Sequence, residues 1–338
     1  MKIALTYDDI QLVPKYSEIK SRQNVSLKTK VSKNYSIDMP IIAAPMDTVC
    51  GYEMAKLLMF MGGVGCVHRF MSIEEQSNIM AKLNEQRDFG KQPLMACVGA
   101  NGDFLERSKE LINQGTNILI IDVAHGHHSN VRTAIEKIKS IDSSIDVIAG
   151  NIATKQASID LINWGADGLR VGIGGGSLCT TRVKTGFGIP NVTAILDCLN
   201  DQNIPIMADG GLRSSGDMAK ALALGADCVM LGSLLAGTTE SPGSIQVDEY
   251  GTRTKLFRGS ASLSTKKSNN QAQRNIEGES TIIPYKGSAR EIISDILDGI
   301  KSALSYTGAK NIIEYHDDVE FVRVTNAGNL EGKPHLLF

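Results

Sequence analysis

Eight short apolar runs recur along the chain, and a segment with the spacing of an amphipathic helix follows each of them. The runs span residues 39–46, 62–68, 94–99, 117–124, 146–151, 168–174, 205–211 and 228–233. Near-continuous apolar runs of this length are typical of strands covered on both faces, as in a parallel sheet. Eight strand–helix units within roughly 200 residues predict an α/β fold of the TIM-barrel type, (β/α)8, rather than an open doubly wound sheet. No GxGxxG motif follows the first run, which argues against a Rossmann domain.

The composition and charge of the chain indicate a sizeable core and exclude several classes of partner. Its 338 residues are 42% hydrophobic and 21% charged, which suits one barrel domain over residues 1–338. A net charge of -2 gives no reason to expect nucleic acid or a membrane surface as a partner, and no apolar run reaches the roughly 20 residues of a membrane span. The 6 cysteines are scattered without a CxxC pair, so we expect neither a disulfide scaffold nor a zinc site, but a reducing cytoplasm.

Polar or glycine-rich groups follow nearly every predicted strand. In chain order they are Asp47, His68, Asp122 with His125, Asn151, the loop around Cys179, Asp209 with Gly210 and Gly211, and Gly232 with Ser233. The carboxyl ends of barrel strands converge on one mouth, which is where enzymes with this fold keep their sites. A single group of this kind is explained as a helix cap, whereas the whole series predicts a functional site at the mouth.

The segments ADGGLRSSGD and MLGSLLAG follow the seventh and eighth predicted strands, where barrels commonly bind a phosphate. Glycines expose backbone N–H groups to an anion, and the N-terminus of the next helix adds a favourable dipole. Gly210, Gly211 and Gly232 are also explained as tight turns, but two such loops in the two expected places favour phosphate. Asp209 precedes these glycines and is a good acceptor for ribose hydroxyls, so we expect a nucleotide.

Cys179 lies in the glycine-rich segment VGIGGGSLCTTRVKTGFG, after the sixth predicted strand. A thiolate at this place is able to add to an electron-poor ring carbon, although a lone cysteine is as readily a small buried residue. Backbone carbonyls of the same segment are also candidates for binding a monovalent cation, but the composition alone supports this only weakly. The three histidines of DVAHGHH lack a cysteine partner and an HExxH spacing, so we expect contacts with a second ligand there rather than a metal.

A polar segment over residues 255–287 lacks apolar periodicity, and its centre reads KKSNNQAQRN. We expect a mobile flap at approximately residues 259–283 that covers the mouth as a lid. The alternative is a solvated surface loop.

Together these motifs resemble those of the IMP dehydrogenase and GMP reductase family of purine nucleotide oxidoreductases. The matching motifs are APMDTV, AHGH, GIGGGSLCTTR, ADGG and MLGSLLAGTTESPG, and the resemblance runs from LTYDDIQLVPKYSEI to YTGAKNI. It implies a TIM barrel, usually assembled as a homotetramer, in which a cysteine attacks C2 of the purine and forms a covalent intermediate. A hydride moves to or from a nicotinamide cofactor, NADPH or NAD.

The resemblance also implies roles for individual residues. Cys179 matches the nucleophile, and Thr181 matches the catalytic threonine. The implied nucleotide contacts are Met46, Ser177, Asp209, Gly210, Gly211, Gly232 and Ser233; the implied cofactor contacts are Asp122, Ala124, His125 and Gly126; and the implied potassium ligands are backbone carbonyls of Gly174, Gly176 and Cys179. The family usually has proline where this chain has Gly175.

The resemblance leaves the reaction open. Dehydrogenases of the family carry inserted CBS modules, which we do not expect here, and a flap with an Arg-Tyr pair that activates water, whereas here Asn275 follows Arg274. The short flap and the motif GSAS resemble bacterial GMP reductases, in which a glutamate after GSAS helps the threonine to release ammonia. This chain has Leu263 there, so Glu277 or Glu279 would have to replace that glutamate from a flap folded inward.

Three hypotheses follow. The leading one is a GMP reductase, which deaminates GMP to IMP with NADPH. The second is a minimal IMP dehydrogenase, which the barrel motifs GGLRSSGD and GSLLAGTTESPG resemble most. The third is an inactive or altered-specificity relative that binds purine nucleotides.

Overall fold

A closed barrel of eight parallel strands forms the centre of the protein in the computed structural model. The structure describes residues 2–87, 92–268, 274–317 and 319–334. In these ranges the strands are β1 (Ile10–Leu12), β2 (Thr29–Lys30), β3 (Ser36–Ile37), β4 (Ile41–Ala43), β5 (Val64–Val67), β6 (Met95–Val98), β7 (Ile118–Asp122), β8 (Asp146–Ile152), β9 (Gly168–Val171), β10 (Ile206–Asp209), β11 (Cys228–Leu231), β12 (Gln246–Val247), β13 (Arg253–Arg258), β14 (Ser280–Pro284) and β15 (Phe321–Arg323). Strands β4 to β11 form the barrel, which closes where β11 pairs with β4. The predicted (β/α)8 barrel is confirmed, and each predicted run overlaps one barrel strand.

Helices surround the barrel, and most of the longer ones follow a barrel strand. They are α1 (Tyr52–Met61), α2 (Ile73–Gln86), α3 (Phe104–Asn113), α4 (Ser129–Ile141), α5 (Lys155–Asn163), α6 (Thr181–Thr185), α7 (Asn191–Cys198), α8 (Ser215–Ala223), α9 (Leu263–Ser268), α10 (Ala289–Ser305), α11 (Ile312–Asp317) and α12 (Asn326–Glu331). Polar residues fix where they begin: Ser72 and Glu75 form a capping box at α2, and the Ser214 side chain caps α8. No helix in the described ranges is long and apolar enough to cross a membrane.

The barrel interior is filled with apolar side chains and is closed at its amino-terminal end. Residues of alternating strand positions pack inside the barrel, among them Ile42, Met95, Ile118, Ile148, Met207 and Met230. The hairpin of β2 and β3 packs Val31 and Ile37 against this cluster. Asp146 is buried at the same end, where it accepts hydrogen bonds from Ser32 Oγ at 2.6 Å and Asn34 Nδ2 at 2.7 Å. Because described side chains fill this end, we expect a ligand to enter from the carboxyl end of the strands.

The segment expected to form a flap has regular structure at both of its ends. Strands β12, β13 and β14 form an antiparallel sheet outside the barrel, and α9 lies between β13 and β14. Within the predicted range of 259–283, residues 269–273 lie outside the described residues. The absence of apolar periodicity in this part of the sequence is explained by the exposure of most of β14, which presents little apolar surface to a core.

Candidate active site

A cavity of about 330 Å³ opens at the carboxyl end of the barrel, and it has the size of a small-molecule site. Most of the residues expected to bind a ligand line it: Met46, Asp122, Ala124, Gly174, Gly176, Ser177, Cys179, Thr181, Asp209, Gly210, Gly211, Gly232 and Ser233. Two expected cofactor contacts, His125 and Gly126, are not among the lining residues in the described part of the chain. His125 is exposed. Gly126 is buried, and a Cβ at this position would lie 2.9 Å from the backbone of Gly150.

Cys179, Thr181 and Glu277 form a hydrogen-bonded relay at one side of the cavity. The Cys179 thiol donates to Thr181 Oγ1 at 3.1 Å, and the Thr181 hydroxyl donates to Glu277 Oε2 at 2.8 Å. The two hydrogen bonds therefore run in the same direction, from the sulfur through the hydroxyl to the carboxylate. This is the arrangement in which a base withdraws the proton of a nucleophile through an intervening hydroxyl.

The other cysteines are placed where they do not react. All five are buried, whereas Cys179 is partly exposed to the cavity. Burial raises the pKa of the Cys198 thiol to about 12, and it raises the pKa of Cys50, Cys66 and Cys228 as well. A buried thiol with a raised pKa is a poor nucleophile, and Cys179 is the cysteine that lines the cavity among the described residues.

Backbone pairing with the flap brings Glu277 to the relay. Thr180 N–H donates to Glu277 O at 3.0 Å, and Glu279 N–H donates to Leu178 O at 2.9 Å. The two segments thus form a short antiparallel bridge with Cys179 opposite Gly278. A Cβ on Gly278 would lie 3.2 Å from Ser262 N, so the glycine lets the loop and the two flap segments approach closely.

The glutamate of the relay is one of the two flap carboxylates named from the sequence. Leu263, which stands where the resemblance implies a glutamate, begins α9 and is 36% exposed. Glu279 is exposed, and its backbone N–H rather than its side chain contacts the loop that carries Cys179. The flap therefore supplies Glu277 to Thr181, and the apolar residue at position 263 does not leave the threonine without a carboxylate.

A second cluster joins Asp122 and Asp209 through Arg170, which the sequence analysis missed. Arg170 Nη1 lies 2.5 Å from Asp122 Oδ1, and Arg170 Nη2 lies 3.0 Å from Asp209 Oδ2. We call Asp122, Arg170 and Asp209 the ion bridge. Burial opposes the charge on Arg170, but Asp209 and Asp122 outweigh it and raise the pKa of the guanidinium. An arginine inside the apolar strand GLRVGIG was the available signal, because a buried charge needs a partner.

The loops after β10 and β11, which are expected to bind a phosphate, both contribute residues to the cavity. Gly210 and Gly211 have φ angles of 86° and 73°, a region that side chains rarely adopt. Gly211, Gly232 and Ser233 line the cavity. Lys286, at the end of the flap sheet, donates to Ser233 O at 2.5 Å and thereby ties this loop to the flap.

The glycine at position 175 is explained by its neighbour Asn191. A Cβ on Gly175 would lie 2.9 Å from Asn191 Oδ1, so the asparagine occupies the space that a proline ring would need. Asn191 Nδ2 in turn donates to Asp209 O at 3.2 Å and to the carbonyl of Gly210. The departure from the family pattern at position 175 is therefore matched by contacts of Asn191 with the end of β10 and the first residue after it.

The histidines after β7 have structural partners. His127 Nε2 lies 2.8 Å from Asp160 Oδ2, and its ring stacks on Trp164 with centroids 5.9 Å apart. His128 Nδ1 accepts the Asn130 N–H at 3.0 Å and so caps α4. No group of three or more His, Cys, Asp or Glu residues that could hold a metal exists within the described ranges.

The carbonyl groups expected to hold potassium belong to the loop that carries Cys179. Gly176 O accepts the Cys179 N–H at 3.0 Å and keeps its second lone pair for another partner. Gly174 has a φ angle of 78°, which turns the backbone within the loop. Neutral carbonyl oxygens are the type of ligand that a monovalent cation takes, and the three expected carbonyl groups belong to one loop.

Comparisons with known proteins cover the whole chain. A family model described as "IMP dehydrogenase / GMP reductase domain" matches residues 4–335. An inosine-5′-monophosphate dehydrogenase of Borreliella burgdorferi is 37% identical, with 100% of this chain and 98% of that protein covered. A GMP reductase of Leishmania major is 28% identical, with 98% and 96% covered. A solved structure of GMP reductase from Trypanosoma brucei in complex with guanosine 5′-monophosphate matches with a TM-score of 0.92 and 29% identity, covering 99% of this chain and 98% of its own.

Proposed function

Because the chain belongs to the IMP dehydrogenase/GMP reductase family of purine nucleotide oxidoreductases, we propose that its own reaction is that of a GMP reductase. GMP loses its 2-amino group as ammonia and becomes IMP, with NADPH as the reductant. One observation carries the proposal: the Thr181 hydroxyl is held between the Cys179 thiol and the Glu277 carboxylate. The departure of an amine needs an acid beside the nucleophile, and this relay is placed to act as one.

The nucleotide takes the half of the cavity between β9 and β11. Its phosphate binds Gly211, Gly232 and Ser233, which lie on the loops where barrels commonly hold this group. The ribose hydroxyls donate to Asp209. The purine then lies between Met46 and Cys179, with C2 facing the sulfur.

In the first step the relay carries one proton from the thiol to Glu277 and then returns it to the substrate. Glu277 accepts the thiol proton through Thr181, and the thiolate attacks C2 of GMP. The same proton returns through Thr181 to the 2-amino group, so that the carbon–nitrogen bond breaks and ammonia leaves. Carbon–sulfur bond formation thus replaces the carbon–nitrogen bond without a net change in protons.

In the second step the sulfur is the leaving group. A nicotinamide cofactor, when bound, would supply a hydride to C2. Cys179 then departs as a thiolate, the carbon–sulfur bond breaks, and IMP is free to leave. Asp122 and Ala124, at the end of β7, line the part of the cavity that the cofactor would use.

The flap favours reduction over hydrolysis of the covalent intermediate. A dehydrogenase must activate a water molecule, and the Arg-Tyr pair that does this in the family is absent from the sequence of this flap. Glu277 comes from the flap instead, and its pairing with the loop places the carboxylate on the threonine.

An IMP dehydrogenase is the second candidate because of a specific similarity. Several relatives of that name reach 33% to 37% identity, against 28% for the GMP reductase of Leishmania major. In such a reaction Glu277 and Thr181 would withdraw a proton from water rather than deliver one to an amine. An inactive relative is disfavoured by the intact relay.

A paired absorbance assay at the nicotinamide band distinguishes the candidates. One cell holds GMP with NADPH, and the other holds IMP with NAD; Cys179→Ala is run in both. Loss of absorbance only in the first cell, with release of ammonia and dependence on Cys179, is the expected result. A gain only in the second cell would overturn the proposal in favour of the dehydrogenase. Two flat traces would overturn both and favour another purine nucleotide as substrate.

Three finer features belong to the same proposal. Potassium bound by carbonyls of Gly174, Gly176 and Cys179 would stabilise the loop, which is tested by replacing potassium with sodium in the assay. NADPH rather than NAD is tested by comparing the two reduced cofactors. A cytoplasmic homotetramer is the assembly and location that we propose, and sedimentation of the purified protein tests the assembly.

A further inference from the structure

The ion bridge spans the two halves of the cavity. Asp122 ends β7 and lies on the side proposed for the cofactor, whereas Asp209 ends β10 and lies on the side proposed for the nucleotide. Arg170, on β9, reaches both carboxylates with different nitrogen atoms of one guanidinium group. A planar guanidinium presents its donors in a fixed fork, so the position of either carboxylate constrains that of the other.

The three side chains are held tightly enough to transmit such a constraint. Arg170 is 9% exposed, Asp122 13% and Asp209 19%. Asn151 Nδ2 donates to Asp209 Oδ2 at 2.7 Å, and it also donates to Gly172 O at 2.7 Å, which anchors this end of the bridge to the backbone. A buried charge that loses one partner is strongly destabilised, so Arg170 has little freedom to leave either carboxylate.

Each carboxylate keeps an oxygen for a ligand. The contacts with Arg170 and Asn151 fall on Asp209 Oδ2, and the contact with Asp122 falls on its Oδ1. Ribose hydroxyls of the nucleotide and of the cofactor are able to donate to the second oxygens. Neither ligand then displaces the arginine.

We infer that Arg170 is a positioning residue that couples nucleotide binding to cofactor binding through the ion bridge, an inference that rests on the function proposed above. The first ligand fixes the position of its own carboxylate, and the rigid guanidinium group of Arg170 passes that constraint to the other carboxylate. The second ligand meets a carboxylate that is already oriented, so it binds more tightly than it would alone. This coupling is reciprocal, because each ligand must change the affinity of the other by the same factor.

The test uses a pair of ligands that do not react with each other. IMP has no 2-amino group to lose and NADPH accepts no hydride, so the fluorescence of NADPH reports its dissociation constant with and without saturating IMP. We expect IMP to tighten NADPH binding about tenfold in the unaltered protein, within the usual range of such couplings. In Arg170→Lys, which keeps the charge but reaches only one carboxylate well, the effect should fall below about twofold.

A matched control separates coupling from the general loss of a buried arginine. Arg107 is 5% exposed and is not among the residues that line the cavity in the described ranges. Its Nη2 lies 2.6 Å from Asp103 Oδ2, and its Nη1 donates to Gln76 Oε1 at 2.7 Å. Arg107→Lys should lower the melting temperature yet leave the tenfold effect of IMP intact. If Arg170→Lys does not fold, Asp122→Asn tests the bridge from its other end, since it leaves Arg170 paired with Asp209 and should give the same loss of coupling.

The outcomes distinguish this inference from the proposed function. If the unaltered protein turns over GMP and binds both ligands, but Arg170→Lys keeps the full effect of IMP, the inference alone is overturned. If IMP has no effect on NADPH binding in the unaltered protein, the inference is likewise overturned while the reaction stands. If the unaltered protein binds neither ligand, the proposed function fails, and the coupling fails with it.

Discussion

The relay of Cys179, Thr181 and Glu277 and the ion bridge of Asp122, Arg170 and Asp209 lie in one cavity but are held in different ways. Every member of the ion bridge stands on a barrel strand, so neighbouring strands hold it in place. In the relay, Thr181 bonds to a residue 96 positions later in the chain, and that residue, Glu277, lies on the flap segment that pairs with residues 178–180. Barrel strands thus carry the binding groups, whereas the proton-transfer group Glu277 stands on the flap segment.

The largest effect should come from removing the sulfur. In Cys179→Ala the covalent step is impossible, so we expect a loss of kcat of at least about 10⁴-fold. The ion bridge is untouched, and the dissociation constant for IMP should stay within about twofold of its original value. Steady-state kinetics and titration calorimetry check the two halves of this prediction. Comparable losses of kcat and of affinity for IMP would mean that the loop carrying Cys179 also binds the nucleotide.

Neutralising the carboxylate of the relay should have the next largest effect. Glu277→Gln retains the shape and the flap pairing but removes the proton acceptor, which should lower kcat by about 10² to 10⁴. Glu279→Gln is the matched control, because Glu279 lies two residues along the same flap segment with an exposed side chain. It should leave kcat within about twofold. Equal effects of the two substitutions would show that Glu277 acts through the charge of the flap rather than through Thr181.

Disturbing the backbone pairing tests whether docking of the flap matters in itself. In Gly278→Val a side chain would crowd Ser262 N, which lies 3.2 Å from the ideal Cβ position. The displaced carboxylate should lower kcat by up to about 10²-fold, since small misplacements have effects of this size. Binding of IMP should be retained, as the ion bridge belongs to the barrel. A fall in the affinity for IMP with unchanged kcat would contradict the assignment of proton transfer to the flap and of binding to the barrel.

A smaller effect concerns the stability of the barrel. Burial, followed by the charge of Arg258, lowers the pKa of His68 to about 4, and His68 Nδ1 accepts the Phe70 N–H at 3.1 Å as a neutral ring does. The unfolded chain binds a proton near pH 6.5, so stability present above that pH is lost as the pH falls towards 4. Between pH 7 and pH 5 this should amount to about 2 kcal/mol.

Urea unfolding at the two pH values measures this loss, with His68→Gln as the control that should weaken it. An equal fall in stability with and without the histidine would assign the pH dependence to other groups.

Local patterns were sufficient to predict the barrel and most of the residues at its mouth. Apolar runs bounded by polar turns specify parallel strands, and the closed fold then collects the residues that follow each strand. Cys179 and Asp209 were predicted to share a cavity for this reason, although nothing in their spacing of thirty residues links them directly.

Two relationships depended on packing and had no local signal that was decisive. Glu277 and Glu279 have the same parity in an extended segment, so alternation does not distinguish them; only the backbone register with residues 178–180 does. Gly175 departs from the family pattern, but its neighbour Asn191 begins a separate helix, α7, and their contact becomes visible only in three dimensions. Arg170 was accessible to sequence reasoning, through the rule that a charge within a buried strand requires a partner, and was missed.

The bridge between Cys179 and Gly278 also bears on how such an enzyme could change over evolution. Main-chain N–H and C=O groups make that junction, and every amino acid except proline offers both. A different hairpin could therefore pair with the same loop of the barrel, provided that it keeps a glycine at the position opposite Cys179. Exchange of the flap would then change the chemistry of the second half-reaction, while the barrel that binds the purine stays the same.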